Sequence, residues 1–309
     1  MKATLKVGTR ASQLALWQAE WVKGELARQG VAVELLVIKT RGDADVDRPL
    51  QQLDGKGFFT KEIEEALLDG RIDVAVHSLK DLPTMLPPGL VLGAVPRRAD
   101  PCEALVTRGA GATTIAGLPA GIRIGTSSLR RVAQIRHLRP DLEVVPLRGN
   151  VPTRVRKVKE GRDGLDAALL AAAGLERLAL ASEIAARLDP LEVMPAPGQG
   201  ALGLELRTDD RRTHAALAPL DDPASARQVA AERSVLAALG GGCQAPVAAY
   251  AGRTEERGGK GRLFGRVTAQ DGSVQITASA DLDEGDPVAT GVRVADLLRA
   301  QGASRLLGR

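Results

Sequence analysis

The sequence predicts an α/β protein in which mostly parallel sheets carry the first two thirds and a smaller α+β unit closes the chain. Three observations carry this. Short apolar runs alternate with amphipathic stretches of helical period, and strands alternating with helices make parallel neighbours, because each crossover returns the chain to the same end of the sheet. The last ~70 residues switch to three strand-like runs in succession and one terminal helix, the order of a small antiparallel sheet. At 309 residues the chain is also too long for one ordinary core and divides into two or three domains.

The stretch "TLKVGT" reads as the first strand. It leads into a helix in "SQLALWQAEWVKGELARQG", with Ser12 as N-cap and Gly30 as its stop. Trp17 and Trp21 lie one helical turn apart and are expected to fill the core. "VELLVIKT" is a strand, and the polar loop from Arg41 to Gly57, with glycines at both ends, has the composition of a mobile lid. "TKEIEEALLDG" is a helix and "IDVAV" a short buried strand. A second α/β unit begins near Pro101. Its strands are "EALVT", "IRIGTS" and "LEVVPL", its helices lie in "SLRRVAQIRHLR" and "PTRVRKVKEG", and its apolar run is "LDAALLAAAGL". Pro195 and Pro197, followed by "GQG", mark a break. After "ALGLELR" and the helical "DPASARQVAAERSVLAALGGG" come the strands "APVAAYAGR", "GRLFGRVTAQ" and "SVQITASADL", then the helix "DPVATGVRVADLLRAQGA".

Composition narrows the function. No apolar run approaches the roughly 20 residues a bilayer span needs, and the opening "MKATLKVGTRAS" has no apolar signal core. With only two cysteines, a cytoplasmic protein with reduced thiols is expected. The net charge of +4 is uneven: from Arg123 to Arg162 eleven cations face three anions, a net +8, leaving −4 for the remainder. Basicity confined to one segment points to a polyanionic ligand. Aromatics are only 2% of the chain, too few for single-strand stacking platforms. A binder of duplex backbone would instead show steep salt dependence on DNA.

Ligands in open α/β sheets gather beyond the carboxyl ends of strands, where helix starts expose N–H groups. Four polar clusters fall there: Arg10 with Ser12, "HSLKDLP", "GTSSLRR" and "RGNVPTR". In "GTSSLRR", Thr126, Ser127 and Ser128 offer hydroxyls at a helix N-terminus, and Arg130 and Arg131 occupy its first turn, the wrong end for cations unless an anion is bound. The helix is expected to pack through Leu129, Val132 and Ala133, leaving the two arginines on other faces. In "HSLKDLP", Ser78, Lys80 and Asp81 follow a buried strand. A carboxylate beside an ammonium in a partly dry cleft serves as base, acid partner or stabiliser of developing positive charge; a surface salt bridge is the plainer alternative. His77 is expected to be a structural hydrogen-bonder, since no metal-like His/Cys cluster accompanies it. Phe58 and Phe59 are two of three phenylalanines; burial is the simple expectation, stacking on a flat ligand the other.

The stretch "LAALGGGCQAPVA" puts Cys243 behind three glycines. A disulfide to Cys102 is disfavoured by compartment, zinc needs more ligands than lie nearby, and an inert buried thiol belongs more often within a helix or strand. The glycines allow something bulky to approach the backbone. A nucleophile or a covalent anchor is left, without a His–Asn pattern of the thiol-hydrolase kind.

The stretches "TRASQLALWQ", "TRGD", "GKGFFTKE", "HSLKDLP", "GTSSLRR", "LRGNVPTR", "AAGLERL", "PAPGQGALG" and "GGCQAP" occur in one order over about three quarters of the chain. Together they resemble the porphobilinogen deaminase family of tetrapyrrole biosynthesis. The resemblance implies two periplasmic-binding-protein-like α/β domains plus a smaller C-terminal α+β domain, bounded as 1–97 with 197–217, 98–196, and 218–309. It implies that "GQGALGLELR" crosses back to complete the first domain. It also implies a dipyrromethane cofactor bound covalently to Cys243 through a thioether, four porphobilinogens added with loss of ammonia, and release of hydroxymethylbilane by water. A monomer acting on small-molecule porphobilinogen, with no metal, nucleic acid or membrane partner, is expected.

Each pyrrole ring bears an acetate and a propionate, which gives the basic segment a chemical reason. By the same resemblance Ser78, Lys80, Thr126, Ser128, Arg130 and Arg131 hold the cofactor. Arg10, Ser12, Lys56, Phe59, Arg148, Arg154, Ala171 and Gln199 line the position of the incoming ring, and Asp81 is the catalytic carboxylate. Leu79, Phe58 and Pro152 depart from the family's usual residues, and Pro152 is the one that can shift a ligand arginine, Arg154. A non-enzymatic small-anion binder of the solute-binding type is the alternative; it leaves Asp81 and the Gly-Gly-Gly-Cys loop unexplained.

Overall fold

The strand Leu5–Thr9 is the pivot of the first sheet. Leu5 and Val7 are buried, and the strand pairs in parallel with Val33–Val37 on one side and Val74–Ser78 on the other. Leu202–Arg207 then runs antiparallel between Val74–Ser78 and Leu90–Ala94, so the sheet completes itself with a segment from late in the chain, as the family resemblance implied. The computed structural model describes residues 4–40, 60–109, 114–241, 245–253 and 261–308. The loop from Arg41 to Gly57 with Lys56, the pair Phe58 and Phe59, and Cys243 lie outside the described residues. The chain divides into two compact units, Met1–Ala99 with Gly200–Ala226, and Asp100–Gln199 with Arg227–Arg309.

In the first unit the helix Gln13–Arg28 starts where the sequence predicts: Ser12 Oγ accepts from the N–H of Ala15 at 3.3 Å, and Gly30, at φ +73°, follows the last turn. Its inward stripe is Ala15, Gln18, Ala19, Val22 and Leu26. Trp17 corrects the expectation of burial, being 39% exposed. It projects opposite Ala15 and Ala19, the small residues that let the helix lie close to the sheet. Trp21 is half-buried against that core.

The second unit holds two sheets. One is ordered Glu143–Val145, Arg123–Gly125, Ala167–Ala171, Glu103–Thr107, Ala186–Arg187. Its first three strands are parallel, while Glu103–Thr107 runs antiparallel to Ala167–Ala171. The other is an antiparallel meander of Val247–Arg253, Gly261–Thr268 and Gln275–Asp281. The helices Pro223–Ala238 and Pro287–Ala300 cover it through Ala231, Val235, Val294, Ala295 and Leu298, which share a core with Leu263 and Val267. Buried Arg266 fastens this meander to the α/β part of its unit, donating to Gln134 Oε1 at 3.0 Å and to the carbonyls of Leu191 and Glu192. Among the described residues no helix is long and apolar enough to cross a membrane.

Candidate active site

In the first unit two neighbouring parallel strands end at the same edge and deliver the predicted residues together. Leu5–Thr9 runs out into Arg10 and Ser12, and Val74–Ser78 runs out into the single 3-10 turn Leu79–Asp81. Leu79 anchors that turn: its side chain is fully buried and its N–H donates to the Ala201 carbonyl at 3.0 Å. The anchor leaves Lys80 half-buried and Asp81 exposed. Ser78 is oriented by a residue that sequence reasoning missed. Gln18 Nε2, on the buried stripe of the first helix, donates to Ser78 Oγ at 2.9 Å. The signal was present, since a glutamine among alanines, valine and leucine on an inward face must find a buried partner.

His77 behaves as the sequence predicts. Its Nε2 lies 2.9 Å from Glu205 Oε2, and both side chains are buried. Glu64 is buried close by, with Oε1 lacking a hydrogen-bond partner among the described residues. Burial above all, and then the Glu205 charge, raises its carboxyl above the ordinary range, with Thr60 and His77 opposing. Among the described residues no cluster of His, Cys, Asp or Glu could hold a metal.

In the second unit three adjacent parallel strands end together. Arg123–Gly125 leads into Thr126 to Ser128, Glu143–Val145 leads into the loop of Arg148, and Ala167–Ala171 ends on Ala171. Ser127 joins the first two loops by donating to the Leu147 carbonyl at 3.0 Å and accepting from the Leu147 N–H at 3.1 Å. Thr126 Oγ1 accepts from the Ser128 N–H, whereas Ser128 makes no side-chain capping bond to the helix Leu129–Leu138. That helix start therefore keeps N–H groups and two hydroxyls for an anion. The next helix, Val151–Lys159, is capped by Asn150, which accepts from Thr153 N–H at 2.9 Å. Pro152 sits in its first turn, where the missing N–H is not needed. Gly149, at φ +113°, makes the bend before the cap, and Arg154 Nε donates to its carbonyl at 2.7 Å.

The helix Leu129–Leu138 buries Ala133 as expected but departs from the expectation at its other positions. Arg130 and Arg131 are each only 5% exposed, whereas Leu129 and Val132 are half-buried. The cause is Glu103, fully buried, whose carboxylate accepts from Arg130 Nη2 on one oxygen and from Arg131 Nε at 2.9 Å on the other. Arg130 Nη1 also donates to the Met194 carbonyl at 2.5 Å and Arg131 Nη1 to that of Leu169 at 3.0 Å. Glu103 is there because its strand is antiparallel. It pairs in register with Ala171, so the start of one strand lies at the edge where the others end. Burial lowers the Arg130 pKa, the Glu103 charge opposes that, and Arg131 adds to it.

Gln199 reaches the same edge, its Nε2 donating to the Pro101 carbonyl at 2.8 Å. Cys102 lies beside it, where burial first, then its hydrogen bond to Asp100, pushes the thiol up to about 12. Other cations of the basic segment are engaged in ion pairs. Arg123, Arg139 and Arg156 pair with Glu143, Asp141 and Glu160 respectively.

The family model described as the porphobilinogen deaminase dipyrromethane cofactor binding domain matches residues 5–215, and the one described as the C-terminal domain of that enzyme matches residues 226–300. The chain belongs to the porphobilinogen deaminase family. It is 50% identical over 307 residues to the porphobilinogen deaminase of Syntrophotalea carbinolica, covering 99% of this chain and 95% of that one. Over 309 residues it is 50% identical to the porphobilinogen deaminase of Roseiflexus sp., with 99% of each chain covered. Among solved structures it is similar to the alkanesulfonate-binding protein of Xanthomonas axonopodis pv. citri, with a TM-score of 0.40 and 16% identity over 99% of this chain and 95% of that one. The described residues form two five-stranded mixed sheets with helices and a three-stranded antiparallel sheet in the C-terminal part, and the family's dipyrromethane is the chain's cofactor and its class that of a transferase.

Proposed function

We propose that the chain is a hydroxymethylbilane synthase. It joins four porphobilinogen molecules head to tail onto a dipyrromethane primer, loses ammonia at each joining, and releases hydroxymethylbilane by hydrolysis. The observation that best supports this is that in each unit hydroxyls and cations gather at the carboxyl ends of adjacent parallel strands, joined in the first by the exposed carboxylate of Asp81. Such an edge suits a ligand that carries carboxylates and passes through a cationic state.

The donors present fit the cofactor. As the family resemblance implies, Ser78, Lys80, Thr126, Ser128, Arg130 and Arg131 offer hydroxyl and cationic partners for pyrrole acetates and propionates. When bound, dipyrromethane supplies the pyrrole carbon to which substrate is joined. By the same resemblance Arg10, Ser12, Lys56, Phe59, Arg148, Arg154, Ala171 and Gln199 bind the incoming ring. Asp81 stabilises the positive charge that loss of ammonia leaves on the substrate's pyrrole nitrogen, and it relays the proton released at the joined carbon.

Cys243 is the thioether anchor in this reading. Cys102 is the other cysteine, and its raised thiol pKa makes it a poor nucleophile. The reading further includes a three-domain division at 97, 197 and 217, a monomer, a cytoplasmic setting, and no nucleic-acid partner. Intact-mass measurement of the purified protein tests the core of it. Two pyrrole units are expected on the wild-type chain and none on Cys243→Ser. A wild-type chain of bare polypeptide mass that also makes no hydroxymethylbilane from porphobilinogen overturns the reading in favour of a simple anion binder.

A further inference from the structure

Three side chains at the edge of the second unit are buried with unequal charge. Glu103 is 0% exposed and Arg130 and Arg131 are 5% each, so two cations share one carboxylate and the trio carries one net positive charge. The geometry divides that carboxylate strictly: one oxygen takes Arg130, the other takes Nε and Nη2 of Arg131, the latter at 2.7 Å. With the carbonyls of Met194 and Leu169, every guanidinium is fixed on two sides. A buried surplus charge is unfavourable unless an anion meets it, and a half-neutralised network is the kind that a ligand completes.

We infer that Glu103 is a positioning residue for the cofactor. It holds Arg130 and Arg131 in one orientation before ligand arrives and reduces their joint charge so that the pair accepts a single ligand carboxylate. This rests on the proposed role of the two arginines in holding dipyrromethane. Glu103 itself touches neither cofactor nor substrate in this account. Pre-orientation of charged donors removes the ordering that binding would otherwise have to supply. The antiparallel direction of Glu103–Thr107 is what makes the arrangement possible, because a parallel strand would present its last residue at this edge instead of its first.

The test uses the full chain produced without porphobilinogen, then given porphobilinogen, with intact mass following the gain of two pyrrole units. Glu103→Gln keeps the shape and removes the charge. Folded Glu103→Gln, judged by its near-ultraviolet circular dichroism, is expected to gain the cofactor at least tenfold more slowly than wild type. Glu103→Asp keeps the charge but withdraws it by one methylene, and is expected to load at an intermediate rate. If Glu103→Gln is not recovered folded, Glu103→Asp carries the test alone. A purely structural glutamate would lower the melting temperature yet leave loading of the folded protein within twofold of wild type, and that result overturns the inference. Arg131→Met separates the two levels. If it also loads at the wild-type rate, the assigned role of the arginines fails; if it fails to load while Glu103→Gln loads normally, only the inference about Glu103 falls.

Discussion

Gln18 and Ser78, sixty positions apart, are joined by a hydrogen bond of 2.9 Å from the glutamine amide to the serine hydroxyl. The bond ties the inward face of the first helix to the last residue of the third strand. Lys80 and Asp81 follow within one turn of chain, so the orientation of the helix and that of the turn Leu79–Asp81 are linked.

Replacing Gln18 by leucine keeps the volume and removes the donor. Ser78 then loses its fixed rotamer at an otherwise apolar interface. A hydrogen bond of this kind is worth about 1 kcal/mol, so turnover of porphobilinogen is expected to fall about five- to tenfold while the two-pyrrole mass is still acquired. Steady-state kinetics with an intact-mass check measures both. Unchanged turnover would assign Gln18 to packing alone.

Asp81→Asn removes the one carboxylate of the exposed turn and retains its shape. The variant is expected to carry cofactor and to lose most turnover, by about a hundredfold or more, the usual scale of a missing acid–base group. Near-normal hydroxymethylbilane formation would move the proton relay elsewhere.

Cys102 is expected to resist alkylation. With its thiol pushed up to about 12, the thiolate fraction near pH 8 is negligible. Iodoacetamide treatment of the native protein at that pH should leave peptides containing Cys102 unmodified, and Cys102→Ser should retain the two-pyrrole mass. Loss of that mass in Cys102→Ser would transfer the anchor from Cys243.

Glu64 sets a pH dependence of stability. Its carboxyl is raised in the folded protein by burial, so the folded state holds the proton more tightly than the unfolded chain. Stability is therefore lost as pH climbs from the ordinary carboxylate range through the raised folded value, and the loss is constant above it. Glu64→Gln is expected to raise the melting temperature by a few degrees near pH 7 and to have no such effect near pH ~3.5, below the ordinary range. Calorimetry at the two pH values decides; an equal effect at both would point to packing.

The sequence by itself determined the alternation of strands and helices, the caps at Ser12 and Gly30, and the grouping of Ser78, Lys80 and Asp81, because period, capping chemistry and strand ends are local properties. It also made the nine family stretches legible, Cys243 among them. Tertiary structure alone decided where burial departed from the local pattern. Trp17 faces outward since the helix needs alanines against the sheet. Arg130 and Arg131 lie deeper than Leu129 and Val132 since an acid from a distant antiparallel strand waits beneath them. A buried charge is tolerated where its counter-charge is, and that partner is fixed by strand direction and register, which no window of sequence contains.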